Sequence, residues 1–150
     1  METGNLLIDA QTAFARARRQ RRRERALRWL RRSGGEPLAL ACLHGAGAAA
    51  AARAVALRAI PLDSIVGTVE GGKARGFDRG FRPPRASRSR WERLWMASRR
   101  GGPVPPISVY RIGDRHFVND GHHRVSVARA LGQAAIDAEV IDVGGSRPAV

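Results

Sequence analysis

The run Gly121-His122-His123-Arg124, entered through Asp120, has the residue types and spacing to hold an anion. It lies inside Phe117 to Gly132. There, alternating bulky residues stop at Asp120-Gly121, good helix formers follow, and Gly132 is placed to end the helix. A glycine at such a strand-to-helix junction allows a sharp bend and a close approach. From His122 onward the first amides have no partner within the helix, and with the helix dipole they form a site for negative charge. His122, His123 and Arg124 add donors or charge at that end. Asp120 has two open roles: it can cap the amides, or help to hold the metal of a bound nucleotide. A plain cap needs only Asp120; two histidines and an arginine behind it argue for a phosphate cradle.

The elements that must position this turn can be read in order. Asn5 to Arg32 reads as a helix crowded with arginines, among them Arg18, Arg19, Arg21, Arg22 and Arg23. Phe14, Ala17, Leu27, Trp29 and Leu30 give it a thin apolar stripe, broken by the run Arg18–Arg25. Such a helix either faces solvent or serves as an arm that meets phosphates. Ser33-Gly34-Gly35 stops it, and Leu38 to Ala56 is Ala-rich, predicting one broken or two short scaffold helices in which Cys42 and His44 are packing residues. Val55 to Ile60 predicts a short strand and Leu62 to Val66 a turn or short helix. Gly67 to Arg85, without periodicity, reads as a long loop. Ser87 or Ser89 can cap a helix to Arg100, stopped by Gly101-Gly102. Trp91, Leu94, Trp95 and Ser98 form its inner face, while Arg88, Arg90, Arg93, Arg99 and Arg100 fill the remaining faces as outward candidates for a phosphate backbone. Ile107–Ile112 and Arg115–Val118, joined by Gly113-Asp114, predict a hairpin. Ile136, Ala138 and Val140 alternate in a last strand. The expected class is α+β, a small mixed sheet with packed helices, and residues 115–143 permit a right-handed crossover.

Charge divides the chain unevenly. Net charge is +14, from 27 Lys and Arg against 13 Asp and Glu. Residues 1–35 carry 10 bases and 3 acids, residues 61–105 carry 10 and 4, and residues 106–150 carry 5 of each. Two basic segments thus carry almost all of the excess while the segment that holds the turn is neutral, and a sorted excess of this kind suggests a polyanion, DNA or RNA, as partner. One cysteine, Cys42, excludes an internal disulfide and a cysteine-based zinc cluster. Adjacent histidines point about 100° apart on a helix, so His116, His122, His123 and Asp120 do not predict a structural metal. No apolar run is long enough to span a membrane, and Met1 to Ala10 has no signal-peptide pattern, so the expected location is the cytoplasm. Oligomeric state is not legible.

With its strand before and helix after, Gly121-His122-His123-Arg124 resembles the turn of the ParB/sulfiredoxin superfamily, where ParB proteins have Gly-Glu-Arg-Arg and sulfiredoxins Gly-Cys-His-Arg. The Asp-Gly-His-His-Arg form looks most like ParB-like domains of unassigned role and the free-serine kinases of the same fold. Ile60-Pro61-Leu62-Asp63-Ser64-Ile65 is similar to the opening of ParB N-terminal domains, and the resemblance covers roughly Ala59 to Val143. Composition marks off a basic helical arm over 1–35, an Ala-rich scaffold over 36–58 and a tail over 144–150, and the resemblance implies a ParB/sulfiredoxin-like domain over 59–143 between them. The resemblance also implies a nucleoside triphosphate with magnesium at Asp120–Arg124, Arg82 and Arg85 as further phosphate contacts, and Glu70 as a kinase's catalytic base. His122 stands where sulfiredoxin needs a cysteine, so reductase chemistry is not expected. Nor does CTP preference carry over, since His122-His123 replaces ParB's Glu-Arg. The 150 residues leave no room for ParB's helix-turn-helix and dimerisation parts, so centromere partitioning is not expected either. Three functions stay open: a nucleotide-binding, DNA-associated module, a small-molecule kinase using ATP or ADP, and a non-catalytic basic adaptor for nucleic acid.

Overall fold

The computed structural model describes residues 2–31, 41–42 and 55–143. Helix α1 (Leu6–Leu30) opens with Asn5, whose side chain accepts the amides of Leu7 and Ile8 at 3.1 and 3.4 Å. Ala10, Phe14 and Ala17 recur at helical spacing and are buried. Beyond Ala17 the arginine run interrupts the stripe, and Leu27, Trp29 and Leu30 stay exposed. The first half of this basic helix is therefore part of the packed structure, and its last two turns are largely exposed.

Among the described residues, six strands form one mixed sheet: β1 (Ala41–Cys42), β2 (Val55–Pro61), β3 (Ile65–Thr68), β4 (Ile107–Ile112), β5 (Arg115–Asp120) and β6 (Ala135–Asp142), in the order β1-β3-β5-β4-β6-β2. Strands β1, β3 and β5 are parallel, β4 runs against β5 and along β6, and β2 runs against β6. The fold class is α+β, as the hydrophobic pattern predicts. The β4–β5 hairpin closes at Gly113-Asp114, with Ile112 opposite Arg115 and Gly113 at φ +62°.

Three expectations need correction. The segment 67–85 is not a structureless loop: it contains the end of β3 and a short helix, α2 (Gly71–Gly76). Glycine is a poor helix former. Here the Glu70 carbonyl accepts both the Lys73 and Ala74 amides, and the burial of Ala74 holds the turn in place. In the Ala-rich stretch, Ala41–Cys42 pairs in parallel with Gly67–Thr68, so it is strand and not helix; the rest of the expected scaffold, with His44 and the Ser33-Gly34-Gly35 stop, lies outside the described residues. Finally, β5 and β6 are antiparallel with β4 between them, so no parallel crossover joins them; β6 is parallel to β4 instead.

Helix α3 (Arg88–Arg99) and helix α4 (His122–Ala130) complete the layer against α1. Both end as their glycines predict. The Gly132 amide reaches Arg129 O and the Gln133 amide Ala128 O, while Gly101 and Gly102 bond Ser98 O and Ala97 O, each with a left-handed glycine just past the cap. At the start of α3 neither serine caps; the Ser87 hydroxyl donates to Pro84 O, and Arg85–Ser87 forms a 3-10 turn. Trp91 is fully buried, edge-on to Phe14 at 5.5 Å, and its indole N–H donates to Ser126 Oγ at 2.8 Å. That one residue ties α1, α3 and α4 together. The main core lies between α4 and the sheet, where Val125 and Ala128 meet Val109, Val118, Ala138 and Val140. Among the described residues, no helix is long and apolar enough to cross a membrane.

Candidate anion-binding cleft

Thr68 ends β3 and Asp120 ends β5, side by side at the carboxyl edge of the parallel strands, and α4 begins one residue beyond. Gly121 makes that junction at φ +109°. A β-carbon there would lie 2.5 Å from Ile107 Cγ2 and 2.8 Å from Ile107 Cβ, so glycine is required both for the backbone angle and for the approach of β4. No side chain caps α4. Asp120 does not take the capping role open to it; its carboxylate accepts from Arg124 Nη2 at 2.7 Å. The first-turn amides are left to meet whatever enters the space in front of them.

That space is a cleft of about 550 Å³, a size suited to a small ligand. Gly121, His122, His123 and Arg124 form one wall, and Lys73 of α2 with Arg90 and Arg93 of α3 form the others. Among the described residues, Lys73, Arg90 and Arg93 have no ion-pair partner, and Asp120 is the one carboxylate in the lining. Arg124 is differently placed. Its guanidinium donates to Pro105 O at 2.8 Å and Pro106 O at 2.6 Å as well as to Asp120, so it clamps the extended linker onto the helix start.

The two histidines are sheltered behind this rim. His122 is only 3% exposed, stacked on Phe77 and Phe81, with Nε2 2.6 Å from Thr68 Oγ1. The Thr68 hydroxyl proton goes to Val118 O at 3.0 Å, so His122 carries its hydrogen on Nε2 and donates. His123 lies edge-on to Phe77 at 5.1 Å, and its buried Nε2 has no partner among the described residues. Burial, followed by Lys73 and His123, pushes His122 down to about 4; burial, followed by Arg90 and Lys73, does the same to His123. Both are neutral at physiological pH. The positive charge of the cleft thus comes from Lys73, Arg90, Arg93 and the helix dipole, not from the histidines.

The comparisons with known proteins are sparse. No family model matches the chain, and no curated protein matches it. Among solved structures, it is similar to sulfiredoxin from Arabidopsis thaliana at 20% identity, with a TM-score of 0.44, over 58% of this chain and 85% of that one. That likeness is partial.

The other expected site residues are scattered. Arg82 is not in the cleft: its amide and guanidinium bind the buried carboxylate of Asp78, at 2.8 and 3.1 Å. Arg85 also lies away from it, beside Arg18, Arg19, Arg22 and Arg88 along a separate groove. The Glu70 side chain is exposed and absent from the cleft lining; its amide donates to Thr68 Oγ1 at 2.9 Å. Arg18 and Arg21, expected to meet nucleic acid, donate to Pro83 O at 3.1 Å and Gly76 O at 2.8 Å, which fastens α1 to the following loop. Arg88 pairs with Glu92 at 2.7 Å, and Arg99 pairs with Glu2 over the Trp95 ring. Arg19, Arg22, Arg23 and Arg100 are exposed. Arg90, expected on an outward nucleic-acid face, faces the cleft. Sequence reasoning missed Lys73 and Arg93 as cleft residues and Thr68 as the partner of His122. The signals available were slight: Lys73 is the chain's single lysine, and Arg93 follows Arg90 by one helical turn.

Proposed function

We propose that the cleft binds the phosphates of a nucleotide, and that the protein is a ParB-like, nucleic-acid-associated module that uses this ligand without turning it over. The observation that carries the reading is the uncapped start of α4 facing a cleft with three unpaired cations, Lys73, Arg90 and Arg93. A phosphate there would accept from first-turn amides and from charged donors together. Magnesium would come with the phosphates, and Asp120 is the one carboxylate of the lining able to reach it. The kinase reading is less favoured because Glu70, the base that the resemblance implies, does not line the cleft. The net charge of +14 supports a polyanionic partner as well.

Calorimetric titration with ATP, CTP and GTP in magnesium tests the ligand. At least one should bind, and Lys73→Ala or Arg90→Ala should weaken it about tenfold or more, the usual cost of a lost charge-assisted bond. Absence of binding by all three, or unchanged affinity in both variants, would overturn the reading. Release of phosphate or its transfer to serine, abolished by Glu70→Gln, would replace it with the kinase.

A further inference from the structure

We propose a second site: a nucleic-acid groove between α1 and the Arg85–Ser87 turn, which grips the phosphates of a strand while Trp29 stacks on an unpaired base. The inference rests on the reading that the chain associates with nucleic acid, and it does not depend on the nucleotide cleft.

The groove encloses about 360 Å³ and is lined by Arg18, Arg19, Arg22, Arg85 and Arg88 over a floor that includes Phe14. Among the described residues, no carboxylate lines it. Arg88 is matched by Glu92, and Arg18 is held by Pro83 O, but Arg19, Arg22 and Arg85 have no partner among the described residues. Five guanidiniums converge on one concavity, and three of them are uncompensated. Burial, followed by the neighbouring Arg21, Arg22 and Arg85, lowers the pKa of Arg18. The Phe14–Trp91 contact docks α1 against α3, which sets the two walls of the groove before anything binds.

Trp29 points to the class of anion. It is 80% exposed, while Trp91 and Trp95 are buried. It follows Arg22 by seven residues, which puts it on the same face of α1, about 10 Å further along the axis. A strand rising about 3.4 Å per phosphate covers that gap in about three nucleotides. A positively charged track with an aromatic platform on the same face is the arrangement that single strands use. A bilayer fits poorly: the apolar face of α1 at Ala10, Phe14 and Ala17 is turned into the protein and cannot insert. An acidic peptide would use the arginines but has no need of the exposed indole.

The test uses the full chain with a fluorescein-labelled single-stranded oligonucleotide, the matching duplex, poly-glutamate and anionic vesicles, over a salt series. The wild type should bind the single strand. Arg19→Ala/Arg22→Ala/Arg85→Ala should bind it at least tenfold more weakly, with a salt slope shallower by about 2, as expected for three lost phosphate contacts on a single strand. Trp29→Ala should lose roughly tenfold, and binding should quench tryptophan emission in the wild type but not in Trp29→Phe. All substituted residues are exposed, so a thermal melt should show the fold kept, and nucleotide affinity at the cleft should be unchanged. Wild-type affinity in the triple variant, constant tryptophan emission, or equal affinity for poly-glutamate or vesicles would each overturn the groove. No binding of any nucleic acid by the wild type would overturn the association reading with it.

Discussion

Gly121 is where one atom matters most. Adding a methyl group there forces a left-handed angle on a side-chain-bearing residue and pushes it into Ile107. The two costs together put Gly121→Ala at about 2–4 kcal/mol, read as a lower melting temperature, with the cleft altered because β4 must move. Ala at this position with unchanged stability would mean the turn relaxes at no cost. His122 makes a different prediction. The folded protein keeps it neutral down to about pH 4, whereas the unfolded chain takes up the proton near 6.5. Across that window the unfolded state binds more protons, so stability falls as pH drops from 6.5 to 4 and levels off below. His123 adds in the same direction. His122→Gln/His123→Gln should flatten this part of the stability–pH curve in urea unfolding; a curve as steep as the wild type's would assign the acid sensitivity elsewhere.

Among the elements, α1 is docked through its first half, and Phe14 sits at the centre of that contact. Phe14→Ala removes the ring that meets Trp91 and should cost about 3–5 kcal/mol. Ser126→Ala, by stranding the buried Trp91 indole N–H, should cost about 1–3 kcal/mol. Denaturant unfolding checks both; if Phe14→Ala costs no more than an exposed substitution, α1 is not docked as described. The elements readable from sequence are those whose local signals agree with their tertiary role. Gly113-Asp114 between alternating runs gives the β4–β5 hairpin, the tryptophan spacing gives α3, and Gly132 gives the end of α4. What stayed illegible was decided by distant partners. Strand β1 is two residues long and exists through its pairing with Gly67–Thr68. Helix α2 is Gly-rich and forms only because Glu70 O and buried Ala74 hold it. The same applies to the site. The turn Asp120–Arg124 is legible as a strand-to-helix junction, but the cleft it borders is completed by Lys73, Arg90 and Arg93 from α2 and α3, and no spacing in the chain records that meeting. Arg82 lies outside the cleft because its carboxylate partner, Asp78, sits four residues away within a run without periodicity.

For the molecule as a whole, a net charge of +14 on 150 residues means self-repulsion in the folded state. Raising salt from about 50 to 300 mM shortens the screening length below about 10 Å, so the melting temperature should rise, and more with phosphate than with chloride if the cleft and groove take anions. A flat or falling melting temperature would mean that surface ion pairs such as Arg28–Glu24 outweigh the repulsion. Strand order has a consequence for how the chain is made. Strand β6 lies between β4 and β2, and among the described residues β2 has no other neighbour in the sheet: Val55 faces Ile141, and Pro61 faces Ala135. As the polypeptide leaves the ribosome, β2 emerges early and waits for most of the remaining residues before its partner exists. The sheet can then close only in a late step, when β6 slots between two strands already synthesised. A chain stalled before residue 135 would hold its hairpin but carry β2, with Leu57 and Val55, as an unclaimed edge for chaperones to cover.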